Sequence, residues 1–371
     1  MKKHITLLVL LMVTPSVALA QDSSIAPISH ENTTSIQSSA FLTELQAEMN
    51  EEIAANPMIP SQLLMVIAPT VGIDIELAAG VVNVASGSPL EPGAAFRIAS
   101  VTKTFIAAAV LRQVDLDASI EQYLSPESIA LLQSDGYATD RISVRHLLLH
   151  TSGIPDFSAS NPAYITAVFA DPLREWTLTE QLQFALDTAD PLGEPGAQYS
   201  YSDTGFILLG EVIERRPSQA LGTAVRALLN YERLGLTSAY WETQETAPAG
   251  ISMAHQYFGE VDITTSLSPT IDLYGGGGLV STTRDLALFY RALLPTAAPM
   301  RDLLVGQPFP PQQRAQFAML TLLCLCHDLT LVRCAERSML RLRLDFRAEL
   351  TLVRHAFPFP VLRPQLYTRL C

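Results

Sequence analysis

Ser100, Val101, Thr102 and Lys103 set a hydroxyl and an amine three residues apart. At the start of a helix that spacing puts both side chains on one face, a turn apart, where an amine can take the hydroxyl proton and make the oxygen a nucleophile. The helix N-terminus also favours negative charge developing on the serine. The competing reading is bland: Ser100 caps a helix and Lys103 is a solvated charge. Composition weighs against it. The chain holds 24 Lys and Arg residues, and the only lysines are Lys2, Lys3 and Lys103. Arginine keeps its proton at any accessible pH, whereas lysine loses it when desolvated or placed beside other groups. A single lysine retained beyond residue 3 therefore points to proton transfer.

Other chemistry-bearing residues fit their motifs less well. His146 and His150 have the i, i+4 spacing of a zinc pair, but Leu147 stands where a zinc protease carries its glutamate. Cys324, Cys326 and His327 do not match a standard zinc spacing, and all four cysteines (with Cys334 and Cys371) lie beyond residue 323. No metal and no cofactor is expected. Gly275 to Gly278 lack the Gly-Lys-Ser/Thr of a phosphate loop and read as a close backbone approach. A net charge of −13 argues against nucleic acid or an anionic membrane as partner.

The elements that must position Ser100 follow from patterning. Residues 1–20 read as a signal peptide: Lys2, Lys3 and His4, an apolar run from Ile5 to Val13, and Ala18-Leu19-Ala20 as the cleavage signal. No membrane span is expected after cleavage, and the expected location is periplasmic or secreted. Residues 21–40 are a polar leader, 41–306 the main domain and 307–371 an atypical Leu/Arg/Cys-rich tail. Residues 41–56 have helical periodicity, and Leu63–Ala68 and Val71–Val82 read as strands. Further helices are expected over Ser100–Val114, Ser143–Leu149, Trp176–Leu186, Thr204–Arg216 and Thr282–Leu294. Thr282 and Asp285 have the spacing of a capping pair.

Four segments then carry a family resemblance. Phe96 to Phe105 resembles the nucleophile segment of the serine β-lactamase-related family, which includes class C β-lactamases, D-alanyl-D-alanine carboxypeptidases and esterases. His146 to Asp156 is similar to that family's H-L-L-x-H-T-S-G segment, Tyr199 to Gly205 to its second motif, and Gly276 to Leu286 to the glycine loop and helix before its third. The segments occur in the family's order and span about residues 60–295.

The resemblance implies an α/β fold: a β-lactamase/transpeptidase-like sheet with flanking helices and a helical subdomain between Ser100 and Tyr201. It implies a hydrolase acting on amide or ester carbonyls, on a small-molecule or peptidoglycan-type substrate, through an acyl-Ser100 intermediate. Lys103 would be the base and Tyr201 the proton shuttle; Asp203, Gly277 and Gly278 would face the substrate. The family has Asn where Asp203 stands, and an ionised Asp only accepts hydrogen bonds, so it would hold Lys103 charged more firmly. The family's third motif, K-T-G or H-x-G, needs a glycine, and no glycine follows Gly306. The C-terminal strands are thus missing or replaced. A tail with ten Arg against five Asp or Glu over residues 301–371 has the composition of a frameshifted reading. The alternative is a truncated or frameshifted relative that binds without turnover.

Overall fold

The computed structural model describes residues 6–10, 39–56, 59–68, 73–158, 160–215 and 218–293. The chain divides into two units, Met1–His327 and Asp328–Cys371, and every described residue lies in the first. The leader expected over 21–40 (Ser39 and Ala40 excepted) and the tail at 307–371, with its cysteines and missing third motif, fall outside the described residues.

Strand β1 (Thr6–Leu10) and helix α1 (Ser39–Ala55) precede the antiparallel pair β2 (Ser61–Ala68) and β3 (Ile73–Gly80). Strand β4 (Ala95–Arg97) leads into α2 (Thr102–Val110). Then come α3 (Pro126–Ser134), α4 (Val144–Leu148), α5 (Pro162–Ala170), α6 (Leu178–Thr188), α7 (Asp203–Arg215), α8 (Leu221–Leu229) and α9 (Tyr231–Leu234). The order closes with β5 (Tyr240–Trp241), β6 (Tyr257–Phe258), β7 (Val261–Asp262), α10 (Ile263–Ser266), β8 (Leu279–Thr282) and α11 (Thr283–Leu293).

Strand β2 is apolar from Leu63 to Ala68 because both faces are covered. Leu64 and Val66 pack with Ile73, Ile75 and the α1 residues Leu45 and Met49. Met65 and Ile67, pointing the other way, pack on Ala287 and Leu288 of α11. The register pairs Ser61 with Gly80 and Ala68 with Ile73. Strand β1 runs parallel on the other edge of β2, Thr6 opposite Gln62 and Leu10 opposite Val66. It falls inside the expected signal peptide; a short run of Leu, Val and Thr satisfies an apolar targeting core and a strand alike.

The second sheet, β4-β8-β5, is antiparallel and places Arg97 opposite Val280 and Trp241 opposite Leu279. Arg284 of α11 ties the two sheets' neighbourhoods together through Asp74 and Glu76 of β3. Helix α2 is buried along every residue, apolar on all sides from Phe105 to Val110 with Lys103 enclosed in its first turn. Its Phe105 stacks on Phe289 with ring centroids 3.7 Å apart and meets Tyr231 edge-on. The helix is shorter than patterning suggested: a 3-10 turn holds Ala99–Val101, and α2 stops at Val110 rather than Val114. Caps explain the other starts, with Ser125, Ser143, Asn161 and Thr177 each accepting a backbone N–H of the first turn. Thr282 caps α11 by accepting from Asp285 N at 3.2 Å, but the Asp285 carboxylate turns away to accept from Ser238 N and Ala239 N. Among the described residues no helix is long and apolar enough to cross a membrane.

Helix α7 lies backbone to backbone against the glycine loop. A Cβ at Gly210 would collide with the Tyr274 carbonyl, and one at Gly275 with the Phe206 carbonyl. Gly210→Ala, which helix propensity alone would favour by about 1 kcal/mol, is therefore expected to destabilise the protein by about 1–3 kcal/mol. Thermal unfolding checks this; a variant melting above wild type would contradict the contact.

Candidate active site

Ser100 sits in the tight passage from β4 into α2. Ala99 takes a left-handed conformation, φ 46°, a costly choice for a residue with a Cβ. The turn leaves Ser100 half-buried at the mouth of a buried helix, while Lys103, one turn on, is fully enclosed.

The Lys103 ammonium faces three oxygens. It donates to Ser100 Oγ at 3.1 Å and to the carbonyl of Gly276 at 2.6 Å, and it forms an ion pair with Asp203. The rings of Tyr201 and Phe206 close the remaining sides, their centroids 5.1 and 5.6 Å from Nζ. Burial alone would push the Lys103 pKa down, but the neighbouring Asp203 carboxylate more than offsets it. The net shift is well above the ordinary lysine value, so the resting residue is an ammonium. Asp203 itself is held below the usual carboxylate range: burial raises it, and Lys103 outweighs burial. Tyr201 donates its phenol proton to Ser100 Oγ at 2.9 Å, and burial raises its pKa. Ser100 Oγ thus faces two donors, an arrangement that favours negative charge on that oxygen.

Asp203 opens α7, and its surroundings come from the 150–160 segment. Its N–H donates to Asp156 Oδ1 at 2.9 Å, and its carboxylate accepts the Ser158 hydroxyl. Burial and the neighbouring Asp203 charge raise the Asp156 pKa. Phe157 N donates to Thr204 Oγ1 at 3.0 Å, and Ser202 Oγ accepts from Gly205 N as the helix cap.

The two histidines hold structure. His146 Nδ1 accepts from Ser143 N at 3.1 Å, completing the α4 capping box. His150 Nδ1 accepts from Ser202 N at 3.1 Å, and its ring stacks on Tyr201 at 4.5 Å. That pairing aims Tyr201.

Ser100, Lys103, Tyr201 and Asp203 therefore meet at one point. Gly277 and Gly278 lie in the adjoining loop, but their α-carbons pack on Asp272 and on Leu273 and Trp241 respectively. The glycine that touches the pair is Gly276, through its carbonyl. Sequence reading placed Gly276 in a loop of close backbone approach without assigning it a role, and missed Asp156, Ser158 and Asp272. Asp156 was within reach as the last residue of the His146–Asp156 segment; for Ser158 and Asp272 no local signal existed.

Residues 66–322 match the sequence model of the Beta-lactamase family. Esterase EstB of Burkholderia gladioli is 35% identical over 161 residues, covering 41% of this chain and 40% of its own. Penicillin-binding protein 4 of Amycolatopsis lactamdurans is 26% identical, covering 58% and 55%. The chain thus spans about half or less of the length of these relatives. Among solved structures, a D-amino acid amidase from Ochrobactrum anthropi SV3 superposes with a TM-score of 0.58 at 23% identity, covering 74% of each chain, and shares the fold. A D-stereospecific amidohydrolase from Streptomyces aligns with a TM-score of 0.55 at 25% identity, covering 73% of this chain and 76% of its own. With the α/β fold, the ordered segments and a family match over more than half its length, the chain belongs to the Beta-lactamase family.

Proposed function

We propose that this protein is a serine hydrolase that cleaves amide or ester carbonyls through an acyl-Ser100 intermediate. The observation that carries the reading is the convergence of Lys103 Nζ and Tyr201 Oη on Ser100 Oγ, at 3.1 and 2.9 Å. In the first half-reaction Lys103, having released one proton, takes the hydroxyl proton as Oγ bonds to the carbonyl carbon. Tyr201 relays that proton to the leaving oxygen or nitrogen as its bond to carbon breaks. Water then adds to the acyl-Ser100 carbonyl, releasing a carboxylic acid and restoring the hydroxyl. The Ser100 N–H supplies one oxyanion donor; lack of a second would slow the reaction by about 10²–10³-fold.

The names of the relatives, an esterase, a penicillin-binding protein and an amidohydrolase, support an ester or amide substrate of β-lactam, D-alanyl peptide or small-ester type. The N-terminal pattern of Lys2 to Ala20 supports export to the periplasm or beyond. The rival, a relative that binds without turnover, rests on the glycine-free stretch after Gly306.

Intact-mass analysis after exposure to a penicillin or a fluorophosphonate separates the two. A gain of one probe mass on wild type, abolished in Ser100→Ala, is the expected result. No adduct on a wild-type protein with a folded circular-dichroism spectrum would favour the rival.

A further inference from the structure

Asp272 ends a 3-10 turn, Pro269–Asp272, just ahead of the glycine run. The turn is pinned from the helical side: Tyr164 Oη donates to the Ile271 carbonyl at 3.0 Å, Gln181 Nε2 to the Thr270 carbonyl at 2.9 Å, and Trp176 N to Thr270 Oγ1 at 2.8 Å. From this anchored turn the carboxyl presses on the loop. A Cβ at Gly276 would collide with Asp272 Oδ1, and one at Gly277 with Oδ2 and Cγ, so the carboxyl lies directly against both α-carbons. The Asp203 carboxylate adjoins Gly276 on the same side, its Oδ1 3.2 Å from where such a Cβ would stand. The carbonyl of Gly276, the residue both carboxyls pack against, accepts from Lys103 at 2.6 Å.

Asp272 Oδ1 is buried and takes part in no hydrogen bond. Nothing in the proposed reaction uses it, and leaving a buried oxygen unsatisfied is costly. The groups facing Asp272 are Asp203, Asp156, Lys103 and the phenol of Tyr164. Burial, then the negative charges of Asp203 and Asp156, hold its proton well above the usual carboxylate range, against the pull of Lys103. A neutral carboxyl here fills space without competing with Asp203 for the ammonium.

We propose that Asp272 is a positioning residue for the Ser100–Lys103 pair: its carboxyl wedges the glycine loop so that the Gly276 carbonyl meets the Lys103 amine and keeps it within reach of Ser100 Oγ. The proposal rests on reading Ser100 and Lys103 as nucleophile and base. Asparagine, equal in shape and always neutral, should replace Asp272; alanine should not.

The test uses full-length protein labelled with 15N-lysine. With only three lysines in the chain, the Lys103 side-chain signal is identified by its loss in Lys103→Arg. Asp272→Asn is expected to keep that signal in place and to react with fluorophosphonate within about threefold of wild type. Asp272→Ala is expected to shift the signal, speed its exchange with water about tenfold and slow labelling by up to about 10²-fold, the scale of a misplacement near 1 Å. A folded Asp272→Asn that loses the wild-type signal would overturn the proposal, because the charge and not the wedge would then matter. So would an Asp272→Ala indistinguishable from wild type in both readouts. If Asp272→Ala fails to fold, Asp272→Asn alone decides. If wild type takes no phosphonate, the serine-hydrolase reading fails, while the Lys103 signal still judges the positioning.

Discussion

Lys103→Met is expected to slow acylation of Ser100 by about 10²–10⁴-fold, the usual contribution of a positioned general base. Methionine keeps the length and apolar stem of the side chain while removing the proton acceptor, so the loss reads on chemistry more than on packing. It also strands Asp203. Without the ammonium, burial raises the Asp203 pKa, and Asp156 stands beside it. The folded variant then holds a proton on Asp203 that the unfolded chain releases. Its stability is therefore greatest at acid pH and falls as pH rises from the unfolded carboxylate pKa toward the higher folded one. Lys103→Met should melt at a higher temperature at pH 5 than at pH 7, while wild type, whose Asp203 is held low by Lys103, should lack that trend from this pair. Phosphonate labelling rates and melting curves at the two pH values check both halves. Labelling at the wild-type rate would remove Lys103 from the proton path.

Asp203→Asn is expected to act in the opposite direction on rate. In wild type the Asp203 charge is the largest influence holding Lys103 as an ammonium, against the burial that favours the neutral amine. Acylation by a neutral Lys103 should therefore climb with pH across the neutral and alkaline range. With asparagine the carboxylate's influence is gone, burial dominates, and the climb moves to lower pH. Each unit of that movement raises the neutral-amine fraction tenfold, so labelling at pH 7 should increase by about tenfold. Asn can still accept from Lys103 and from Ser158, so the fold should survive. A pH–rate profile of ester or phosphonate acylation, superposable on wild type, would show that the charge on Lys103 does not limit the nucleophile.

The chemistry of the pair was legible because it is local. Ser100 and Lys103 are one turn apart, and the scarcity of lysine marks the second of them before any coordinates are known. The longer helices and the β2–β3 pair were legible for the same reason, since their periodicity extends over enough residues to register. The second sheet was not: β4, β5 and β8 have three, two and four residues, too few for alternation to show. Helices α3, α5 and α8 were missed although Ser125 and Asn161 cap two of them, because at nine residues each their pattern extends over too few turns to register. The carboxylate environment was invisible for a different reason. Asp156 reaches Asp203 across 47 residues and Gly276 reaches Lys103 across 173, so the electrostatics of the site belong to the tertiary fold alone. The identity of Asp203 did announce its consequence: an acceptor-only side chain beside the amine predicts a firmly charged lysine, and the geometry of the ion pair is consistent with that.

The three acceptors around Lys103 also set an order of assembly. Ser100 is a helical turn away, but Asp203 and Gly276 lie far downstream, and the last closure spans 173 residues. Contacts of that separation form late, after the entropy of closing a long loop has been overcome. A chain emerging from the ribosome therefore carries its serine and lysine through most of synthesis with the amine solvated and the hydroxyl ordinary. Arming of the nucleophile waits on the final third of the domain, and a partly made or partly folded chain is chemically quiet.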